Sequence, residues 1–66
     1  MYQYVKKILV DRNMTMTDLA NGMKMSRAGV YYIFRGGWSR RNLELMASVL
    51  EVPVMDLVRS WYESKN

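Results

Sequence analysis

The stretch Met14–Gly37, MTMTDLANGMKMSRAGVYYIFRGG, decides how this chain folds, because it holds two short helix patterns together with the signals that start and stop them. Thr15 or Thr17 can cap the first helix, with Asp18 in its first turn, where a negative charge suits the helix dipole. Leu19, Ala20 and Met23 form its buried side, and Gly22 with the Lys24-Met25 pair breaks the pattern. Ser26 then offers a hydroxyl to the free amides of a second helix, Arg27 to Arg35, which Gly36-Gly37 ends by permitting a left-handed backbone. Two short helices joined so tightly must cross at a steep angle.

At roughly 100° per residue, Val30, Ile33 and Phe34 fall on one side of the second of these helices. Arg27, Ala28, Tyr31, Tyr32 and Arg35 fall on the other, so the inward side is apolar and the outward side can form hydrogen bonds. Gly29 lies between the two faces, where it costs roughly 1 kcal/mol against alanine and leaves room for a close approach by another backbone or by the preceding helix.

Upstream, Tyr2 to Asn13 places Val5, Ile8 and Leu9 at spacings of three and four, with Tyr2 and Arg12 as further candidates for that side and Lys6, Lys7 and Asp11 on others, which predicts an amphipathic helix. Downstream, Trp38-Ser39-Arg40-Arg41 reads as a loop, and Asn42 as the cap of a fourth helix with Glu44 in its first turn and Leu43, Met46, Ala47 and Leu50 inward. Pro53 suits the start of a fifth, running from Val54 to Glu63, with Met55 or Leu57, Val58 and Trp61 as its apolar stripe. No alternation of period two persists, so the expectation is an all-α chain of five short helices forming one domain over residues 1–66, with 63–66 frayed.

Composition narrows the function. The 66 residues include no cysteine and no histidine, which removes a disulfide framework and the usual zinc ligand sets. Neither a glycine-rich phosphate loop nor a carboxylate pair set in a pocket is visible, so no enzyme, metal or cofactor is expected. The longest apolar runs, Ile8-Leu9-Val10 and Val52-Pro53-Val54-Met55, fall far short of the ~18 to 20 residues of a membrane span, and Lys6-Lys7 precedes only three apolar residues, too few for a secretory signal. A cytoplasmic protein is expected. Its charge is uneven: residues 1–41 carry eight basic and two acidic side chains, or +6, whereas residues 42–66 carry two and four, or −2. The basic part suits a polyanion.

The Met14–Gly37 block resembles the helix-turn-helix of the Cro/C1 (Xre) family of phage-repressor-like proteins. Ala20 stands where that family needs a small residue for close helix crossing. Leu19, Met23, Met25, Val30 and Ile33 match the surrounding apolar positions, Ser26-Arg27 the start of the second motif helix, and Arg35-Gly36 its end. The likeness continues through Asn42–Ala47 and Leu50–Leu57 and so covers roughly residues 5–58. Three positions depart from it. Met16 replaces a frequent Gln that touches a phosphate, Lys24 stands where the turn commonly has Gly, and Leu9 with Phe34 replaces a frequent Arg–Glu ion pair, which predicts that these two side chains touch.

The resemblance implies a compact five-helix, lambda-repressor-like domain with its helix-turn-helix on helices 2 and 3. It implies sequence-specific binding to double-stranded DNA by a transcriptional regulator, a repressor in the first instance, in the bacterial nucleoid or an infected host's cytoplasm. By carry-over, Arg27, Ala28 and Tyr32 read bases, Arg27 a guanine and Ala28 a thymine methyl, while Tyr31 reads a base or reaches the backbone. Phosphate contacts fall to Lys24, Ser26, Arg35, Arg40 and Arg41, with Lys6 and Lys7 behind them, and to the helix starts at Thr15, Thr17 and Asn42. Relatives commonly act as homodimers on palindromic operators, and Leu57, Val58, Trp61 and Tyr62 are the candidate dimer surface, unless Trp61 closes the core. The alternative is a protein-interaction module on the same fold, such as an antitoxin or a regulator antagonist.

Overall fold

Five helices follow one another in the computed structural model, which describes residues 1–64: α1 (Tyr2–Asp11), α2 (Met16–Gly22), α3 (Arg27–Phe34), α4 (Arg40–Leu50) and α5 (Val54–Ser64). No strand occurs among the described residues. The Cα radius of gyration, 10.6 Å, matches the ~11 Å of a close-packed chain this long. Of the tail expected to fray, Glu63 and Ser64 belong to the last helical turn of α5, and Lys65 and Asn66 lie outside the described residues.

Short polar side chains fix three of the helix starts. Thr15, not Thr17, caps α2 in a reciprocal arrangement: the Asp18 amide donates to Thr15 Oγ1 at 3.1 Å, and the Thr15 amide donates to Asp18 Oδ2 at 2.8 Å. Ser26 caps α3 by accepting from the Gly29 amide at 3.2 Å. The expected cap of α4 is corrected from Asn42 to Ser39, whose Oγ accepts from the Asn42 amide at 3.2 Å. Serine caps as well as asparagine does, and starting three residues earlier brings Glu44 to 3.4 Å from the Arg40 guanidinium, four residues away. Arg40 and Arg41 therefore form the first turn of α4, not a loop, and Glu44 lies in its second.

The first four helices all end in the same way. Asn13, Lys24, Gly36 and Glu51 take positive φ (56°, 57°, 111° and 58°), and each chain reversal is closed by two backbone bonds. The inner bonds run from Asn13, Lys24, Gly36 and Glu51 to the carbonyls of Val10, Asn21, Ile33 and Ser48, and the outer ones from Met14, Met25, Gly37 and Val52 to Leu9, Ala20, Tyr32 and Ala47. This is why α1 stops at Asp11 rather than running to Asn13. Gly36 is also crowded: a Cβ added there would meet Trp61 Cη2 at 3.0 Å. Gly36→Ala is expected to cost ~1–3 kcal/mol, read as a lower midpoint in urea, because its positive φ disfavours a side chain and the Trp61 ring must also give way slightly.

The core gathers Val5 and Leu9 of α1, Leu19 and Ala20 of α2, Val30 and Ile33 of α3, Leu43, Met46, Ala47 and Leu50 of α4, and Leu57 of α5, with Met1 and Met23. Leu57 is fully buried, so it is withdrawn from the candidate dimer surface. Trp61 lies half-buried against the core, its ring 6.3 Å from that of Trp38, so it closes the region between the α3–α4 connection and α5. α5 packs chiefly on α4 and also on α1. The Met1 ammonium donates to the Ser60 carbonyl at 3.3 Å and to Ser64 Oγ at 3.2 Å, and burial lowers its pKa. Burial and the neighbouring Asp56 carboxylate raise that of the Tyr4 phenol, which donates to Asp56 Oδ2 at 3.5 Å. Arg12 ties the end of α1 to that of α4 through Glu51 at 2.7 Å.

Candidate functional site

From Leu19 to Leu43 the sequence contains no acidic residue, while it carries Lys24, Arg27, Arg35, Arg40 and Arg41. The fold turns this run into the end of α2, all of α3 and the first turn of α4. All five cations are exposed. Helix starts sharpen the contrast: α2 and α5 have Asp18 and Asp56 in their first turns, whereas α3 begins with Arg27 and α4 with Arg40-Arg41, and neither has an acid there. A cation at a helix N-terminus opposes the macrodipole, an arrangement that an anionic partner relieves.

On α3, Val30 and Ile33 are fully buried, which fixes the helix rotation and turns Arg27, Ala28, Tyr31, Tyr32 and Arg35 to solvent. Arg27 and Ala28 lie open in the first turn. Tyr31 is 40% exposed and Tyr32 65%, and the two side chains serve different neighbourhoods. Tyr31 belongs to an aromatic cluster with Tyr2 of α1 and Phe34, with ring centroids 6.3 Å and 6.1 Å away. Tyr2 and Phe34 meet edge to face at 5.3 Å, and Lys6 Nζ lies 5.8 Å from the Tyr2 centroid. Tyr32 instead crosses Gly37, where an added Cβ would fall inside its ring. Phe34 packs on the core that contains Leu9, and its aromatic neighbours are Tyr2 and Tyr31.

Two expected phosphate positions change. The Thr15 and Asp18 amides at the start of α2 are occupied by the capping box, whose carboxylate also puts a negative charge there, which leaves the Met16 and Thr17 amides at that end. Thr17 remains exposed as a side chain. The Asn42 amide is likewise taken by Ser39, which leaves the amides of Arg40 and Arg41 as those that α4 geometry frees for an anion. The Ser26 hydroxyl accepts from Gly29 and keeps its proton for donation. Arg40 pairs with Glu44, whereas Arg41, also exposed, follows it on the first turn of a helix that has no acid there.

Spacing placed Tyr2 with Val5, Ile8 and Leu9 on the apolar side of α1, but that its ring meets Phe34 and Tyr31 beside this face is set by tertiary packing. Beside Arg40, the residues Trp38, Leu43, Val54, Met55 and Val58 join it in lining an open groove of about 420 Å³ between the start of α4 and α5. No described helix is long and apolar enough to cross a membrane. Compared with protein-family models, curated proteins and solved structures, the chain matches none.

Proposed function

We propose that this chain is a sequence-specific double-stranded DNA-binding regulator of transcription, a repressor in the first instance, that lays α3 in the major groove. The single observation that carries this is the outward face of α3: Arg27 and Ala28 open at its N-terminal end, on a helix whose opposite side is locked into the core, within a run of 25 residues free of acids. The major groove admits an α-helix, and N-terminal residues of such a helix reach base edges. The resemblance to Cro/C1-type helix-turn-helix proteins of lambda-repressor-like fold adds to this, as does the left-handed Lys24 at the turn between α2 and α3, where that pattern commonly has Gly. In this reading the chain has no catalytic role and needs no cofactor.

Arg27 and Ala28 contact bases, and Lys24, Ser26, Arg35, Arg41 and Arg40 contact the backbone on either side. Binding as a homodimer to a palindromic operator, with half-sites ~34 Å apart, would use the exposed side of α5. Tyr62 is 60% and Met55 61% exposed there, with Val58 between them.

Electrophoretic shift across a salt series tests the reading. Each neutralised phosphate contributes ~0.9 to the slope of log affinity against log salt, so four or five contacts give a slope steeper than about −3. An affinity indifferent to salt contradicts it. Lys24→Gly separates the two roles of its position: relief of the left-handed backbone raises stability by about 1 kcal/mol in urea, while loss of the charge makes the salt slope shallower by ~0.9. A second reading, a protein-interaction module, is favoured by one observation, the apolar groove beside Arg40. A stable complex with a protein partner, with no affinity for any duplex, would support that alternative.

A further inference from the structure

Gly36 and Gly37 are adjacent but are glycines for different reasons. Gly36 needs its positive φ, whereas the backbone of Gly37 lies outside the left-handed region, so a residue with a side chain can adopt it. What excludes a side chain at Gly37 is Tyr32: the nearest atoms to an added Cβ are Tyr32 Cε2, Cζ and Cδ2, all of one rigid ring. The same two residues are joined by the backbone, the Gly37 amide donating to the Tyr32 carbonyl at 2.9 Å.

The other helix ends show what is unusual. At α1, α2 and α4 the residue making this outer bond is Met14, Met25 or Val52, each packed on the core. Such an apolar contact across the turn commonly accompanies this motif. At α3 the outer residue has no side chain, and the contact is supplied from the helix by Tyr32, which lies over the turn yet stays 65% exposed. Its Cζ, which carries the hydroxyl, is one of the atoms over Gly37. Five residues separate Tyr32 from Arg27, about 7.5 Å along the helix axis, so a phenol laid back over the turn leaves the N-terminal end of α3 clear.

We propose that Gly37 is a positioning residue for Tyr32: it holds the phenol at the C-terminal end of α3, where it contacts the duplex at the flank of the base pairs read by Arg27 and Ala28. This rests on the DNA-binding reading. A methyl group at Gly37 displaces the ring into another rotamer, toward the start of α3 or away from the helix, and so changes a specificity contact without touching DNA itself.

The test is a double-mutant cycle on the full chain, with affinity and base preference measured on the duplex selected by the unaltered protein. Gly37→Ala is expected to weaken binding on the order of tenfold and to change preference at one flanking base pair, the one that Tyr32→Leu also changes. In the Tyr32→Leu background Gly37→Ala has no further effect. A silent Gly37→Ala, or an equal loss in both backgrounds, overturns the inference, the second result assigning Gly37 to turn structure alone. A readout independent of the variant's folding is the Gly37 α-proton shift in NMR, displaced by the Tyr32 ring in the unaltered protein and restored in Tyr32→Leu; an ordinary shift in the unaltered protein also overturns it. Failure of the unaltered protein to prefer any duplex overturns the DNA-binding reading itself, whereas Arg27-dependent preference with a silent Gly37→Ala overturns only the role of Gly37.

Discussion

Ile33→Ala is expected to destabilise the fold by ~2–5 kcal/mol, a larger loss than any surface substitution brings. Ile33 is fully buried on the inward side of α3, so truncation removes its transfer energy and leaves a cavity that a small core fills poorly. A chain of this length typically has ~3–10 kcal/mol to lose, and each kcal/mol corresponds to ~4–8 °C in midpoint. Thermal unfolding followed by circular dichroism should therefore show a midpoint lower by roughly 10 °C or more. Val10→Thr, at a position 69% exposed on α1, should leave the midpoint nearly unchanged. A midpoint unaffected by Ile33→Ala would mean that α3 is not seated on the core as described.

The second large effect is on binding. Arg27→Ala should weaken affinity for the preferred duplex by ~1–3 kcal/mol and relax preference at one base pair. Stability should change little or rise slightly, because Arg27 is exposed and its charge opposes the dipole of α3. Arg41→Ala should instead weaken binding to all sequences alike and make the salt slope shallower by ~0.9. Equilibrium titration against the preferred duplex and single-base variants separates the two patterns. Equal losses across all duplexes for Arg27→Ala would place that side chain on phosphate.

The helices and much of the core were legible in the sequence because spacings of three and four dominate from Val5 to Leu57. Caps were legible where one residue type stood alone, as at Ser26, and ambiguous where two competed. Ser39 and Asn42 cap equally well in isolation, and the ion pair that an earlier start gives Arg40 and Glu44 is visible only once the helix is built. Glu51 was opaque for another reason. Its left-handed backbone belongs to the helix-ending turn closed by the Glu51 and Val52 amides, not to any preference of glutamate.

Within the candidate site, periodicity gave the outward face of α3 but not the destinations of its tyrosines. Both project outward, yet Tyr31 joins Tyr2 and Phe34 while Tyr32 lies over Gly37, a difference fixed by tertiary neighbours. Gly29 gained a neighbour as well: a Cβ there would meet Met25 Cε at 2.9 Å, the far end of a flexible side chain, so its close approach is to the α2–α3 connection. Leu57 shows the opposite limit, since four apolar residues near one helix end do not announce which of them the core takes.

Selection of bound sites from a pool of random duplexes tests the central claim most directly. The expected product is an enriched sequence, palindromic with half-sites about one helical turn apart if the chain binds as a symmetric dimer, and degraded at one base pair per half-site when Arg27→Ala is selected in parallel. No enrichment over the starting pool, with the protein folded by circular dichroism, would contradict the assignment of α3 as a reader of DNA sequence.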